Sequence, residues 1–388
     1  MDFDDERAVR LLTPLRQEPR RPSTVDVRRA VVRGERRRVT LRVASAAVVV
    51  LAVLVGGWAV AAPEAGPKPA PRPAASGSRP SGNGPSSPAT GLQCTASALE
   101  MPANAMGEGM VTGADPSGRY SIGEGTGLGA GQTLLWDDTK SRVVDGPNGL
   151  VLEGVNAHGV AVGATDVKKH VPWVVQDGVA RLLAHPDGVD ARPYAINGKG
   201  QIAGSIHNQP VLWPGPDAAP VPLRLPGPGY SGVARGIDED GTVVGELLNG
   251  DRSAAYAWSP DGTPKMLPAP VLDGRPATNY GADQVRNGWA SGRVGQAWAV
   301  WNLVTGEVRV VTGGMLAMVN GAGWTLESPT DTEASIDTGA GRVALPAVGG
   351  KAPFAIQPVA LSDDGHVAVG TAITEQNGRR APVRWVCR

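Results

Sequence analysis

From about residue 94 to its end, the chain alternates short apolar pulses with Gly, Asn, Asp and Pro, and the pulses return in a fixed order. "INGKGQIAGS" (196–205) and "IDEDGTVVGE" (237–246) share one pattern: an Ile, a short polar residue, a Gly, then a small or β-branched pulse leading to a second Gly. Further copies read "VNAHGVAVGA" (155–164), "ADPSGRYSIGE" (114–124) and "LSDDGHVAVGT" (361–371), with weaker ones at "VRNGWASGR" and "VNGAGWTLE". Their turn glycines are Gly118, Gly159, Gly200, Gly241, Gly288, Gly323 and Gly365, at steps of 41, 41, 41, 47, 35 and 42 residues. A fixed period of this length signals a repeat architecture. No window of this region sustains a 3.6-residue apolar period, whereas alternation bounded by turn residues recurs throughout, so the units are built of strands.

Within each unit a tryptophan follows the turn: Trp136, Trp173, Trp213, Trp258, Trp301 and Trp385, with Ile336 standing in for it in the sixth. A polar turn and a short apolar run ending near Pro come next, as in "PKMLPAP" (264–270). Four short strands per unit describe a blade, and the expected fold class is all-β, a seven-bladed β-propeller over residues 94–388. A β-sandwich or a β-solenoid is the rival reading. The chain ends favour the ring: the last unit stops at "RAPVRWVCR" without an outer strand, and "CTASALEMPANAM" (94–106) resembles that missing strand moved to the front. The only two cysteines, Cys94 and Cys387, then fall on neighbouring strands of one composite blade and are expected to form a disulfide; two buried free thiols are the alternative.

Charge and hydropathy organise the front end. Residues 43–62, "VASAAVVVLAVLVGGWAVAA", are twenty uncharged positions, long enough for one transmembrane helix. The preceding arm, 1–42, has twelve Arg against seven Asp or Glu, and "RGERRRVTLR" (33–42) abuts the apolar segment. The basic side stays in the cytoplasm, so a single-pass membrane protein with an extracellular C-terminal domain is expected. Cleavage as a signal peptide, on Ala59 and Ala61, is the competing reading. Residues 63–93 contain eight Pro and five Gly and nothing to form a core, which makes them a stalk. In the cytoplasmic arm, Ser23 and Asp26 stand at capping-box spacing before a short basic stretch, which suits either contact with anionic lipid or a docking site for a regulator.

The repeats "INGKGQIAGS…QPVLW" and "IDEDGTVVGE…AYAW" resemble the HAF-type repeats of extracellular bacterial proteins, and the whole chain resembles membrane-anchored propellers of high-GC Gram-positive bacteria. The pattern departs from the family where an aromatic is expected before the Trp: Ala257 and Leu212 stand there. The resemblance implies no particular ligand or activity.

Candidate chemistry is sparse in the linear sequence. "GEGTGLGAG" (123–131) joins two strands, so it lacks the helix N-terminus that a nucleotide-binding loop requires. "DEDG" and "SDDG" offer carboxylates to calcium, yet they occupy the turn where other copies carry "NGKG" and "NAHG", and Asp and Asn there serve tight turns. The five histidines show no zinc-ligand spacing. Trp289, Trp298 and Trp324 fall outside the repeat register and either line a surface or pack. No catalytic residue, metal ligand or cofactor site is expected, nor a nucleic-acid partner, and the protein is expected to be a monomer. The expected function is a membrane-anchored binding or sensing module; an extracellular hydrolase or lyase, with carboxylates converging at the channel mouth from different blades, is the alternative. The loops joining second to third strands vary, whereas the repeated turns do not, and varied loops on a rigid scaffold are where recognition sits. They gather Lys168, Lys169, His170, Asn208, Arg252, Arg293, Arg379 and Arg380, expected to meet an anionic envelope polymer or an acidic protein surface. Neutralisation of these charges by Asp166, Asp251 and Glu375 in the same loops is the competing outcome.

Overall fold

The computed structural model describes residues 91–388 apart from 104–107, 127–130, 167–168, 313–317, 351–352 and 375–377. The arm, the apolar segment 43–62, the stalk to residue 90 and Lys168 lie outside the described residues. Among the described residues no helix is long and apolar enough to cross a membrane.

Seven four-stranded antiparallel sheets form the seven blades of a β-propeller, with no α-helix among the described residues. Their innermost strands are Gly109–Ala114, Leu150–Val155, Ala191–Ile196, Tyr230–Ile237, Gln284–Arg286, Met318–Val319 and Ala355–Leu361, for blades 1 to 7. Each contacts the innermost strand of the next blade, and the seventh contacts the first, so the ring is closed. A two-stranded hairpin, Val271–Leu272 with Arg275–Pro276, is inserted between blades 4 and 5 and accounts for the long 47-residue step.

Closure occurs as the chain ends imply. Cys94–Ala98 is the outer strand of blade 7 and pairs with Arg380–Cys387, with Cys94 directly opposite Cys387. The flanking pair, Gln93 and Arg388, exchanges both backbone hydrogen bonds. Cys94 and Cys387 are therefore a non-hydrogen-bonded cross-strand pair, the type in which backbones lie closest, with Cα atoms 3.9 Å apart and the sulfurs bonded.

Tryptophan joins neighbouring blades. Trp136, Trp213, Trp258, Trp301 and Trp385 are fully buried. Each donates its indole N–H to a backbone carbonyl just past the outer strand of the preceding blade: Glu100, Ala184, Arg224, Pro268 and Pro346, at 2.6–2.8 Å. Two assignments need correction. In blade 2 the strand register puts Val175, not Trp173, at this position, and in blade 6 it puts Asp337, not Ile336. Trp173 sits two residues early, where its indole N–H is buried with no partner among the described residues. Ile336 lies one residue off and its side chain joins the core shared with blade 7. Trp289, Trp298 and Trp324 pack within or against cores.

The repeated turn does more than reverse the chain. All seven turn glycines have positive φ, between 70° and 98°. In six of the seven turns the residue three positions before the glycine, Asp115, Asn156, Asn197, Asp238, Asn320 or Ser362, is polar and buried; in blade 5 it is Val285. Asn156 and Asn197 accept backbone N–H groups of their own turn and donate their Nδ2 to the carbonyls of Asn197 and Asp238, one blade on, both at 2.9 Å. Asp238 accepts the N–H groups of Asn287 and Gly288 in blade 5, Asn287 donates to Gly321 O in blade 6, and Asn320 donates to Ser362 O in blade 7. Asp363 N returns to Pro116 O in blade 1. Six of the seven blade junctions are thus tied at the turn face; at the seventh, the Tyr120 ring packs on Gly159. Replacing Asn197 with Ala should leave the buried Asp238 carbonyl and the part-buried N–H groups of Lys199 and Gln201 without their side-chain partner, at about 2 kcal/mol, read as a lower urea midpoint with an unchanged m-value.

Candidate functional site

The two faces of the ring use their polar groups differently. On the turn face the side chains repeat and are consumed in the belt between blades. On the opposite face, where second strands turn into third strands, they do not repeat.

Five innermost strands carry a β-bulge at one repeat position, so that Thr112, Glu153, Tyr194, Arg235 and Val359 are left without a cross-strand partner. A bulge bends the strand and re-aims the side chain. Asp283, two residues before the buried Val285, holds the corresponding position in blade 5. Blades 2 to 5 carry charged and aromatic groups at this position. Glu153 is paired with Arg192. Arg192 and Arg235 both lie over the ring of Tyr194, at 5.3 and 5.1 Å from its centroid. Arg235 reaches Asp283 through Nε, at 3.3 Å. The Asp283 side chain retains 35% of its surface open to solvent, and the burial of the remainder raises its carboxyl above the usual range against the pull of Arg235 and Arg293.

His170, at the start of a third strand, extends this line toward the loop face. Its Nδ1 meets Asp190 Oδ1 at 2.9 Å and its Nε2 lies 3.3 Å from Arg192. Burial acts to raise Asp190, but the His170 backbone N–H and ring outweigh it and hold this carboxyl below its usual value. Asp190, His170, Arg192 and Glu153 form one chain of contacts, with Glu153 paired to Arg192 and Asp190 hydrogen-bonded to His170.

The eight residues singled out from sequence do not share one cluster of direct contacts. Lys169 is exposed and its Nζ donates to Gly188 O at 2.7 Å. Asn208, with His207, forms a two-residue turn in which both have positive φ, 48° and 59°, which Asn tolerates better than most residues. Arg252 is exposed beside the Gly250–Asp251 turn. Arg293 lies across Trp298, its cross-strand partner, 5.0 Å from the ring centroid. Arg379 faces Glu108 at 3.9 Å, and Arg380 approaches the sulfur of Met110 at 3.9 Å, on blade 1. His170 therefore belongs to the chain of contacts with Asp190, Arg192 and Glu153, whereas Lys169, Arg252 and Arg293 are exposed. The sequence reading passed over Glu153, Arg192, Tyr194, Arg235 and Asp283. A signal was present: the position six residues before the turn glycine reads Thr112, Glu153, Tyr194 and Arg235 in four successive copies, a varied column inside a repeated frame.

A separate cavity of about 310 Å³ lies at the outer edge of blades 2 and 3, lined by Arg181, Leu183, His185, Pro216 and Asp217, with Arg181 and Asp217 paired in it. It is shallow and remote from the innermost strands.

No protein-family model matches the chain, and no curated protein matches it in sequence. Three solved structures align with it, each at a TM-score below 0.5. The structure of YCF48 bound to a D1 peptide aligns with a TM-score of 0.45 and 12% identity, over 78% of this chain and 99% of that one. A prolyl endopeptidase, one of two studied for inter-domain dynamics in catalysis and specificity, aligns at 0.46 and 14%, over 72% of this chain and 50% of that one. The Dos1 propeller aligns at 0.41 and 10%, over 68% and 75%. Likeness of this degree carries no argument about activity or partner. What the chain's own strand pairing establishes is a disulfide-closed, seven-bladed β-propeller.

Proposed function

We propose that the protein is a binding or sensing module displayed on the cell surface, held by the apolar segment 43–62 and raised on the Pro-rich stalk, with its N-terminus in the cytoplasm. The finer assignment, to membrane-anchored propellers with HAF-type repeats in high-GC Gram-positive bacteria, belongs to this proposal. One observation carries the binding role: the turn face spends its polar side chains on joining blades, whereas the loop face and the innermost strands present side chains that differ from blade to blade. A rigid ring with one uniform and one varied face is suited to recognition through the varied face. The disulfide supports an extracytoplasmic location, since such bonds persist in oxidising compartments.

The hydrolase or lyase alternative requires carboxylates, or a carboxylate and a His, to converge. Asp190, His170 and Glu153 do lie along one line of contacts, which favours that alternative as the second reading. Glu153 is engaged by Arg192 and Asp190 by His170, however, which suits a fixed recognition surface better than a general base.

The partner is an anionic envelope polymer or an acidic protein surface. Reversing Lys168, Lys169, Arg379 and Arg380 to Glu in the full-length protein should weaken its retention on purified cell wall by at least about tenfold, given roughly 1 kcal/mol per basic residue near a charged surface. Retention of the wild type should fall as salt rises. Retention that is unchanged in the variant and insensitive to salt removes the anionic partner.

A further inference from the structure

We propose that the Cys94–Cys387 disulfide is a mechanical clasp: it carries tension from the N-terminal side of the chain into the body of blade 7, so that pulling there does not peel the outer strand from the ring. The inference rests on the membrane-anchored reading for the source of the tension. It gives the bond a task beyond closing a loop.

The chain reaches the propeller at one end of a weakly held strand. Gln93 and Cys94 are its first residues to pair with the blade, opposite Arg388 and Cys387. Tension from residues 1–92 therefore falls first on this end of the ladder, and the disulfide stands at the second pair from the point of entry. The strand Cys94–Ala98 offers little hold of its own. Thr95, Ser97 and Ala98 are exposed, while Cys94 and Ala96, with Leu92 just before them, are only partly buried against the blade core. Such terminal strands open at low cost unless they are tied down.

The other end of the bond is firmly held. Cys387 is fully buried and belongs to the core that contains Leu326, Ile336 and Trp385. Its strand is paired on the far side as well, Arg380 to Val386 against Val367–Ile373. The Cys387 N–H donates to His366 O, and its carbonyl accepts from His366 Nδ1, both at 2.8 Å. A covalent link from the weak strand to this residue passes the load around the hydrogen-bonded ladder. A second stop lies behind the strand. Leu99 is buried with Val111, Leu134 and Trp136, and Glu100 donates its N–H to Thr139 O and accepts the Trp136 indole N–H. Peeling without the clasp thus releases residues 93–98 and halts at Leu99.

The test is single-molecule pulling of the full-length protein in detergent. One handle is placed at the N-terminus and the other at a peptide tag inserted in the exposed Gly250–Asp251 turn of blade 4. The unreduced wild type should show no extension of the propeller before its main unfolding event. Cys387→Ser should add an earlier step at lower force, on the order of 20 Å for the six residues 93–98 at about 3.4 Å each. Adding a dithiol reductant to the wild type already under tension should produce the same step, which covers the case of a variant that folds poorly. Trp258→Ala, which weakens the ring far from the seam, should lower the main unfolding force without adding the early step. An early step in the unreduced wild type or in Trp258→Ala, or its absence after both substitution and reduction, overturns the clasp. Release of the protein from membranes by salt alone would remove the anchored reading instead, and leaves the pulling result unaffected.

Discussion

Replacing Cys387 with Ser should lower the unfolding free energy by about 5 kcal/mol, the value expected when so long a loop is released in the unfolded chain. The bond joins residues separated by 293 positions and sits at the seam where the ring closes. Without it, the outer strand of blade 7 is held by a five-residue ladder, Cys94 to Ala98 against Val383 to Cys387. Blade 7 abuts blade 1 through Ala355–Leu361 against Gly109–Ala114, so opening at the seam exposes the apolar faces of both. Urea unfolding of wild type and variant under non-reducing conditions measures the loss. Peptide mapping by mass spectrometry of the unreduced protein should show Cys94 and Cys387 linked; two thiols that alkylate in the folded protein contradict the bond.

Trp258→Ala should cost about 3–5 kcal/mol, the range for removing a large buried aromatic. The indole is fully buried in the core of blade 4, and its N–H is the partner of Arg224 O in blade 3. The cost therefore joins a cavity to an unsatisfied carbonyl across a blade junction. Trp173→Phe should behave in the opposite way, near neutral or slightly stabilising, because it removes a buried N–H that has no acceptor. Thermal unfolding of the two variants in parallel separates the readings: equal destabilisation would mean that Trp173 does the same work as the repeat tryptophans, against the strand register.

The contrast between Trp258 and Trp173 shows where the sequence was legible. Spacing alone recovers a tryptophan in six of the seven units, but a strand changes face at every residue and the loop before it varies in length, so the count from the turn glycine cannot distinguish Trp173 from Val175 or Ile336 from Asp337. Backbone pairing resolves both, because register, not distance along the chain, decides which side chain faces the preceding blade. Turn glycines are more reliable markers. A left-handed backbone strongly favours Gly wherever it occurs, so each of the seven left the same residue at the same place.

The candidate site was less legible for a related reason. Lys169, Asn208 and Arg252 attract notice as polar residues in loops, yet Asn208 serves a two-residue turn and Lys169 caps a backbone carbonyl. Arg235 and Asp283 lie on innermost strands, where a linear reading assigns residues to the core. They are 48 positions apart in the chain and meet only because their blades are neighbours in the ring.

By itself the sequence determined the number of blades, the position of each turn and the pairing of Cys94 with Cys387, since these follow from local backbone demands repeated at a fixed period. The tertiary structure alone decided which charges meet. Bulges at Glu153, Tyr194 and Arg235 set these residues out of the strand ladder, and neighbouring blades bring charges distant in the chain into contact, as Arg235 with Asp283.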